Sequence, residues 1–163
     1  MVKPTPVRVI DKPDDEETVW DILRGVPDPE IPVINVVDLG IVRYVRMPGP
    51  EVGVTLTYSG CPATEVIRES IELALHERGY ADATVKDVLS PAWSSLWISA
   101  EGRARLADFG IAPPNSEADN RPACCPHCGS DESELVSEFG STPCKSLYRC
   151  LACLEPFDYF KCH

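Results

Sequence analysis

Two Cys-x-x-Cys pairs near the C-terminus constrain this chain more than any other feature. Cys125 and Cys128 form the first pair, Cys150 and Cys153 form the second, and 21 residues separate them. Such pairs are typical of small modules in which four thiolates hold one tetrahedral zinc ion. A module of this size buries too little apolar surface to fold unaided, so metal binding supplies much of its stability. The spacing therefore predicts one structural zinc in a C-terminal zinc-ribbon β module.

The donor set alone does not fix the metal. Four thiolates also suit rubredoxin-type iron or an iron–sulfur cluster, and unpaired buried cysteines or a transient disulfide are the simplest alternatives. Further donors surround the two pairs, either as additional ligands, as a second thiol cluster or as packed or exposed side chains. These surplus residues are Cys124, Cys144, Cys162, His127 and His163.

The distribution of cysteines and the net charge indicate the cellular compartment and the kind of partner to expect. Seven of the eight cysteines fall in the last forty residues, and their paired spacing favours metal over disulfides in a reducing compartment. The first thirty residues carry no apolar run and no stretch is long enough to span a membrane, so we expect a cytoplasmic protein. The formal net charge is −11, and acids outnumber bases in the ribbon as well. This charge argues against nucleic acid and membrane partners and favours protein partners.

The first two thirds of the chain show the periodicities of a separate α+β domain, with a small mixed sheet and helices on one face. We expect this domain over residues 14–112, a proline-bearing polar linker over 113–122, and the ribbon over 123–163. The predicted elements are a helix over 14–24, hairpin strands over 41–46 and 52–58, a helix from about 62 to 79, a strand over 83–89 and a short helix over 100–109.

Cys61 stands apart from the other cysteines. It lies directly before Pro62, where the predicted helix begins, and the free amides and positive dipole end of a helix favour a thiolate. Such a thiolate suits a metal or cluster in transit, provided that nearby carboxylates or a second copy of the chain complete the site. The ordinary alternative is a buried cysteine that acts as a small hydrophobic residue.

Three segments carry a family resemblance. They are Asp28-Pro29-Glu30-Ile31-Pro32, Asp38-Leu39-Gly40-Ile41-Val42, and Thr55-Leu56-Thr57-Tyr58-Ser59-Gly60-Cys61-Pro62-Ala63-Thr64. In this order they resemble the signature segments of the metal–sulfur cluster assembly domain of SufT-like proteins, over roughly residues 15–112. The resemblance implies that Cys61 is the functional thiol.

The same resemblance implies a pocket around that thiol. Its other members would be Asp28, Glu30, Asp38 and Thr64, with Asp38 as the carboxylate nearest the thiol. Structural roles are an alternative for Asp28, Asp38 and Thr64. An aspartate side chain can cap a turn by bonding to nearby backbone, and a threonine hydroxyl can bond within the first turn of a helix.

Two tail segments extend the resemblance to the whole chain. They are Gly140-Ser141-Thr142-Pro143-Cys144-Lys145 and Glu155-Pro156-Phe157-Asp158-Tyr159-Phe160-Lys161, and with them the chain resembles the accessory subunits of multicomponent phenylacetyl-CoA epoxidases. This implies a maturation factor that delivers or repairs iron or an iron–sulfur cluster, held transiently, in oxygenase or reductase subunits, with a homo-oligomer as a further possibility. The alternative is a non-catalytic adaptor that bridges oxygenase subunits through its zinc module. The sequence contains no Gly-rich nucleotide loop or paired Glu-x-x-His motif that would indicate a catalytic subunit.

Overall fold

The computed structural model describes residues 15–57, 62–115 and 120–161. It contains helices α1 (Glu16–Arg24), α2 (Thr64–Glu77) and α3 (Ala100–Asp108), and a 3-10 turn at Ser95–Trp97. The strands are β1 (Val42–Arg46), β2 (Glu51–Val54), β3 (Thr84–Asp87), β4 (Ile111–Ala112), β5 (Ser133–Ser137), β6 (Lys145–Cys150) and β7 (Pro156–Phe160).

Helix α1 follows directly from its local sequence. The Asp15 side chain accepts a hydrogen bond from the Glu17 N–H at 3.1 Å, which caps the first turn, and acids in that turn favour the positive end of the helix dipole. Val19 and Leu23 lie four residues apart on the buried face. The helix packs through this face against α2 and β1.

The first sheet is mixed. Strands β1 and β2 form the predicted antiparallel hairpin with Val45 opposite Val52, and β3 then pairs parallel to β2 with Val85 opposite Val52. Helix α2 makes the crossover between β2 and β3, and its buried residues Ile67, Ile71 and Leu75 recur at helical spacing. The predicted α+β class is confirmed.

The second sheet belongs to the ribbon and has the order β4-β7-β6-β5. Strands β5 and β6 form an antiparallel hairpin, with Leu135 opposite Tyr148. Strand β7 pairs antiparallel with β6 and parallel with β4. The two-residue strand β4 follows α3 directly, so a segment that the sequence assigns to the N-terminal domain forms an edge of the ribbon sheet.

The ribbon has a small hydrophobic core of its own and also contributes a side chain to the core of the N-terminal domain. Phe160, at the end of β7, is 1% exposed and belongs to the core cluster of the N-terminal domain. Its ring centroid lies 5.9 Å from that of Trp93, and the Trp93 Nε1–H donates to the Leu39 carbonyl at 3.0 Å. The ribbon is therefore packed against the N-terminal domain and is not merely tethered to it. None of the described helices combines the length and the apolar character needed to cross a lipid bilayer.

Candidate functional site

The four paired cysteines converge at one end of the ribbon sheet. Cys125 Sγ lies 3.8 Å from Cys153 Sγ, and Cys128 Sγ lies 3.6 Å from Cys150 Sγ. All four sulfurs lie within 4.8 Å of one another. A tetrahedron of Zn–S bonds of about 2.3 Å places its sulfurs about 3.8 Å apart. The arrangement therefore fits one tetrahedral metal ion with four thiolate ligands and no open position.

Backbone N–H groups stabilise negative charge on these sulfurs. The His127 N–H donates to Cys125 Sγ at 3.4 Å, and the Cys153 N–H donates to Cys150 Sγ at 3.5 Å. Donation from the Cys153 and Ala152 amides lowers the pKa of Cys150 to about 6, although burial opposes the shift. Because zinc binds the thiolate and not the thiol, the amide donors favour the metal-binding form of Cys150.

The backbone amides of Ser130 and Glu155 act in the same direction on Cys128 and Cys153. Burial and the neighbouring thiols nevertheless raise the pKa of Cys128 and raise that of Cys153 to about 12.

The surplus donors of the C-terminal segment do not join this cluster where the structure describes them. Cys124 is exposed beside Cys125, and His127 lies against Gly110. Cys144 lies in a different place, described below. Cys162 and His163 fall outside the described residues, so their predicted role as additional ligands stays a prediction.

A second candidate site, with a mostly apolar lining, lies where the ribbon meets the N-terminal domain. Its polar lining residues are Asp28, Glu30, Thr57 and Cys144, and we call it the carboxylate pocket. Apolar side chains complete the walls: Ile31, Leu39, Ile41, Leu56, Ile67 and Phe160. The structure thus brings together two of the predicted carboxylates and adds a thiol from the ribbon.

Asp28 occupies this pocket as a nearly buried group, with 6% of its surface exposed. Its Oδ1 accepts hydrogen bonds from the Glu30 N–H at 2.9 Å and the Ile31 N–H at 2.8 Å, so the turn that Pro29 initiates also fixes the carboxylate. Burial raises the pKa of Asp28, and the two amide donors act against the shift. The surroundings of the Asp28 carboxylate therefore destabilise its charged form.

Asp38 has a different environment from Asp28. Its Oδ2 accepts from Asn35 Nδ2 at 2.7 Å, its Oδ1 accepts from Ser99 Oγ at 2.8 Å, and Arg105 lies 3.4 Å away as an ion-pair partner. These contacts attach the loop before β1 to the start of α3. Asp38 is not among the residues that line the carboxylate pocket.

The remaining predicted residues lie at the start of α2. Thr64 is the half-buried first residue of that helix, and it also does not line the carboxylate pocket. Cys61 falls outside the described residues, so its role and its relation to Asp38 stay predictions. Sequence reasoning missed the position of Cys144 because no local pattern indicates which surface a ribbon turn will contact.

Comparisons with known proteins match both parts of the chain. The model of the family described as "PaaD zinc beta ribbon domain" matches residues 112–161. The model of the family described as "Iron-sulfur cluster assembly protein" matches residues 16–86. The four-cysteine cluster lies within the first match, so the ribbon is a zinc-binding module.

One solved structure supports the fold of the N-terminal part. It is a domain of unknown function, DUF59, from Bacillus anthracis, which is 26% identical with a TM-score of 0.52 and covers 56% of this chain and 90% of its own.

Two curated proteins are similar in sequence. An "Fe-S protein maturation auxiliary factor" of Porphyromonas gingivalis is 34% identical over 56% of this chain and 90% of its own length. The D subunit of a "Putative 1,2-phenylacetyl-CoA epoxidase" of Escherichia coli K12 is 46% identical over 92% of this chain and 94% of its own length. Identity at this level over nearly the full length of both proteins shows that the chain belongs to the family of phenylacetyl-CoA epoxidase D subunits.

Proposed function

We propose that this protein is an accessory factor that delivers iron or an iron–sulfur cluster to a component of a phenylacetyl-CoA epoxidase system, or repairs the centre there. The observation that carries the proposal is the carboxylate pocket, in which Asp28 and Glu30 lie between an iron–sulfur assembly domain and a zinc ribbon. The relative that is named a maturation auxiliary factor supports a role in assembly. The epoxidase relative from Escherichia coli supports an epoxidase as the recipient system.

In this proposal Cys61 is the thiol that carries the cargo. It follows Thr57, which lines the carboxylate pocket, by four positions in the sequence. The carboxylates supply hard oxygen donors and negative charge, which attract a cationic metal centre. Asp38 acts from outside the pocket by holding the loop that precedes β1 against α3.

The ribbon has a separate role as the docking module for the partner protein. Its zinc site is closed by four thiolates, and a closed site supports structure and leaves no position for chemistry. The exposed side chains of Leu135, Val136 and Phe139 lie along and just after the edge strand β5. Exposed apolar groups of this kind are frequent at protein interfaces.

The test compares Cys61→Ser with Cys124→Ser, which removes an exposed thiol outside both sites. Each full-length protein is purified anaerobically, analysed for zinc, iron and acid-labile sulfide, and then mixed with metal-free epoxidase subunits. We expect Cys61→Ser to keep one zinc per chain but to lose iron, sulfide and the ability to restore metal to a partner. Cys124→Ser should match the unmodified protein.

The adaptor hypothesis predicts that the loss of the Cys61 thiol has no effect. If Cys61→Ser restores metal to the subunits as well as the unmodified protein does, Cys61 is not the carrier and the delivery proposal is wrong. An adaptor would still bind the subunits in that case, and size-exclusion chromatography of the mixtures would detect the complex.

A further inference from the structure

Strand β5 lies at the open edge of the ribbon sheet and carries exposed apolar side chains. The strand order β4-β7-β6-β5 leaves one side of β5 without a neighbouring strand among the described residues. Leu135 and Val136 are exposed on the strand, and Phe139 is exposed just after it. Exposed Leu151 lies at the other end, because its N–H donates to the Glu132 carbonyl at 3.0 Å directly before β5. We call Leu135, Val136, Phe139 and Leu151 the ribbon patch.

The patch is backed by the aromatic core of the ribbon. Leu135 lies opposite Tyr148 in the β5–β6 pairing, so the two side chains are on one face of the sheet. The Tyr148 ring lies 6.0 Å from that of Phe157 and 5.7 Å from that of Tyr159, measured between centroids. A surface held by packed rings loses little freedom when a partner binds it, which favours affinity.

The edge of β5 is poorly suited to pairing with another strand. The register shifts between Leu135 and Ser137, which makes Val136 the extra residue of a bulge. Bulges and charged side chains are devices that keep an edge strand from pairing with a second copy of itself. The side chains of the patch, and not its backbone, are therefore what a partner would contact.

Negative charge surrounds the patch. Residues 131–139 contain four acids and no base. Asp131 and Glu132 precede β5, Glu138 follows it, and all three are exposed. None of the three has an ion-pair partner among the residues that the structure describes.

Two of the three cations of the ribbon are already paired. Lys145 is buried and lies 3.3 Å from Asp158, and Arg149 pairs with Glu134. They are therefore not free to neutralise the other acids beside the patch.

The third cation, Lys161, shows what the patch attracts. Its Nζ donates to the Glu138 carbonyl at 3.0 Å and lies 4.8 Å from the centroid of the Phe139 ring. Phe139 is still 69% exposed, so a cation from a partner can also reach it. An aromatic ring beside unpaired carboxylates favours lysine or arginine as the approaching group.

The same charge argues against other occupants. A second copy of this chain would bring acids against acids, and the formal net charge of −11 repels phosphate backbones and anionic lipid as well. A protein surface with basic side chains is the complement that remains.

We propose that the ribbon patch docks the recipient subunit of the epoxidase system through an apolar surface flanked by lysine or arginine. This deepens the proposed function, from which it takes the recipient system. The apolar side chains supply most of the affinity, whereas the acids speed the encounter and select against acidic partners.

The test measures binding of the zinc-loaded, full-length protein to each purified, metal-free epoxidase subunit in turn. Biolayer interferometry gives the dissociation constant and both rates at about 0.1 M and about 1 M salt. Phe139→Ala and Glu138→Lys change the patch and its rim. The matched controls lie on α2, where Leu73→Ala removes another exposed apolar side chain and Glu69→Lys reverses another exposed acid.

We expect one subunit to bind the unmodified protein and both α2 variants equally. Phe139→Ala should weaken binding about tenfold, mainly through faster dissociation. Glu138→Lys should slow association severalfold at low salt and much less at high salt, because the screening length falls from about 10 Å to about 3 Å. Retention of one zinc and of the circular dichroism spectrum in each variant shows that the fold is intact.

Three outcomes overturn the inference. Equal binding by Phe139→Ala and the unmodified protein shows that the patch is not the docking surface. Faster association of Glu138→Lys shows that the partner presents acids and not bases. Failure of every subunit to bind is the third, and sedimentation of the unmodified protein and Phe139→Ala then tests whether the patch joins two copies of this chain instead.

The metal-restoration assay with Cys61→Ser separates this inference from the delivery function. If restoration requires Cys61 while Phe139→Ala binds normally, delivery stands and the docking surface is wrong. If Phe139→Ala loses binding while Cys61→Ser restores metal fully, the docking surface stands and the protein is an adaptor.

Discussion

Phe160 is the side chain whose loss should most directly separate the ribbon from the N-terminal domain. It ends β7, is 1% exposed, and stacks at a tilt on Trp93 with 5.9 Å between ring centroids. The substitution Phe160→Ala removes a ring that belongs to the core cluster of the other domain. It leaves the four zinc ligands unchanged.

The size of the effect follows from burial. Replacing a buried phenylalanine by alanine costs about 3–5 kcal/mol of unfolding free energy, because the transfer free energy is lost and a cavity remains. For a chain of this length each kcal/mol lowers Tm by about 2–4 °C, which gives a decrease of roughly 6–20 °C. The tilted ring pair with Trp93 places the expected loss toward the upper part of that range.

The assay is urea unfolding at saturating zinc, followed by tryptophan fluorescence, with Phe139→Ala as the matched control. Phe139 is in the same module but is 69% exposed, and its described ring contact is with the Lys161 ammonium at 4.8 Å from the centroid. Truncation there should cost less than about 1 kcal/mol. Equal stability losses in the two variants would refute the placement of Phe160 in the core of the N-terminal domain, as would a Phe160→Ala effect confined to a separate zinc-dependent transition.

Two further predictions concern the metal and the carboxylates. Cys150→Ser should reduce zinc from one ion per chain to none, whereas Cys124→Ser should keep it, as measured by mass spectrometric metal analysis; zinc retained in Cys150→Ser would exclude the four-thiolate site. Burial raises the pKa of Asp28 in the folded state above its ordinary 3.8. Protonation of Asp28 therefore stabilises the folded protein fully below pH 3.8, and this stabilisation is lost as the pH rises through the folded-state pKa. Asp28→Asn should therefore unfold at a higher temperature than the unmodified protein at neutral pH and at the same temperature below pH 3.8. Asp38→Asn should instead cost about 1–3 kcal/mol of unfolding free energy at neutral pH, because an amide N–H₂ would replace the oxygen that accepts from Asn35 and pairs with Arg105. A higher unfolding temperature for Asp38→Asn would contradict the described network.

Local patterns predicted the elements that are themselves local. The buried residues of α2 recur every four positions, the β1–β2 hairpin has a turn-forming segment between β-branched runs, and the two cysteine pairs have a fixed knuckle spacing. In each case the residues that interact are close in sequence, so spacing carries the information.

The rest depends on contacts between distant segments. Strand β4 has two residues and no periodicity, and it is a strand only because β7, more than forty positions away, pairs with it. The Ser99 hydroxyl reaches Asp38 across 61 positions, and Cys144 reaches Glu30 across 114. Family resemblance placed Asp28 and Glu30 in one motif, but it could not show that a ribbon thiol would face them.

Strand β6 runs from the carboxylate pocket to the four-cysteine cluster. It ends at the zinc ligand Cys150 and begins at Lys145, directly after the pocket thiol Cys144, so about 20 Å of extended backbone separates the two thiols. Withdrawal of zinc would release one end of this strand, and the orientation of the thiol at the other end depends on the same hydrogen-bonded ladder. Loss of zinc is therefore expected to disturb the carboxylate pocket as well as the cysteine cluster.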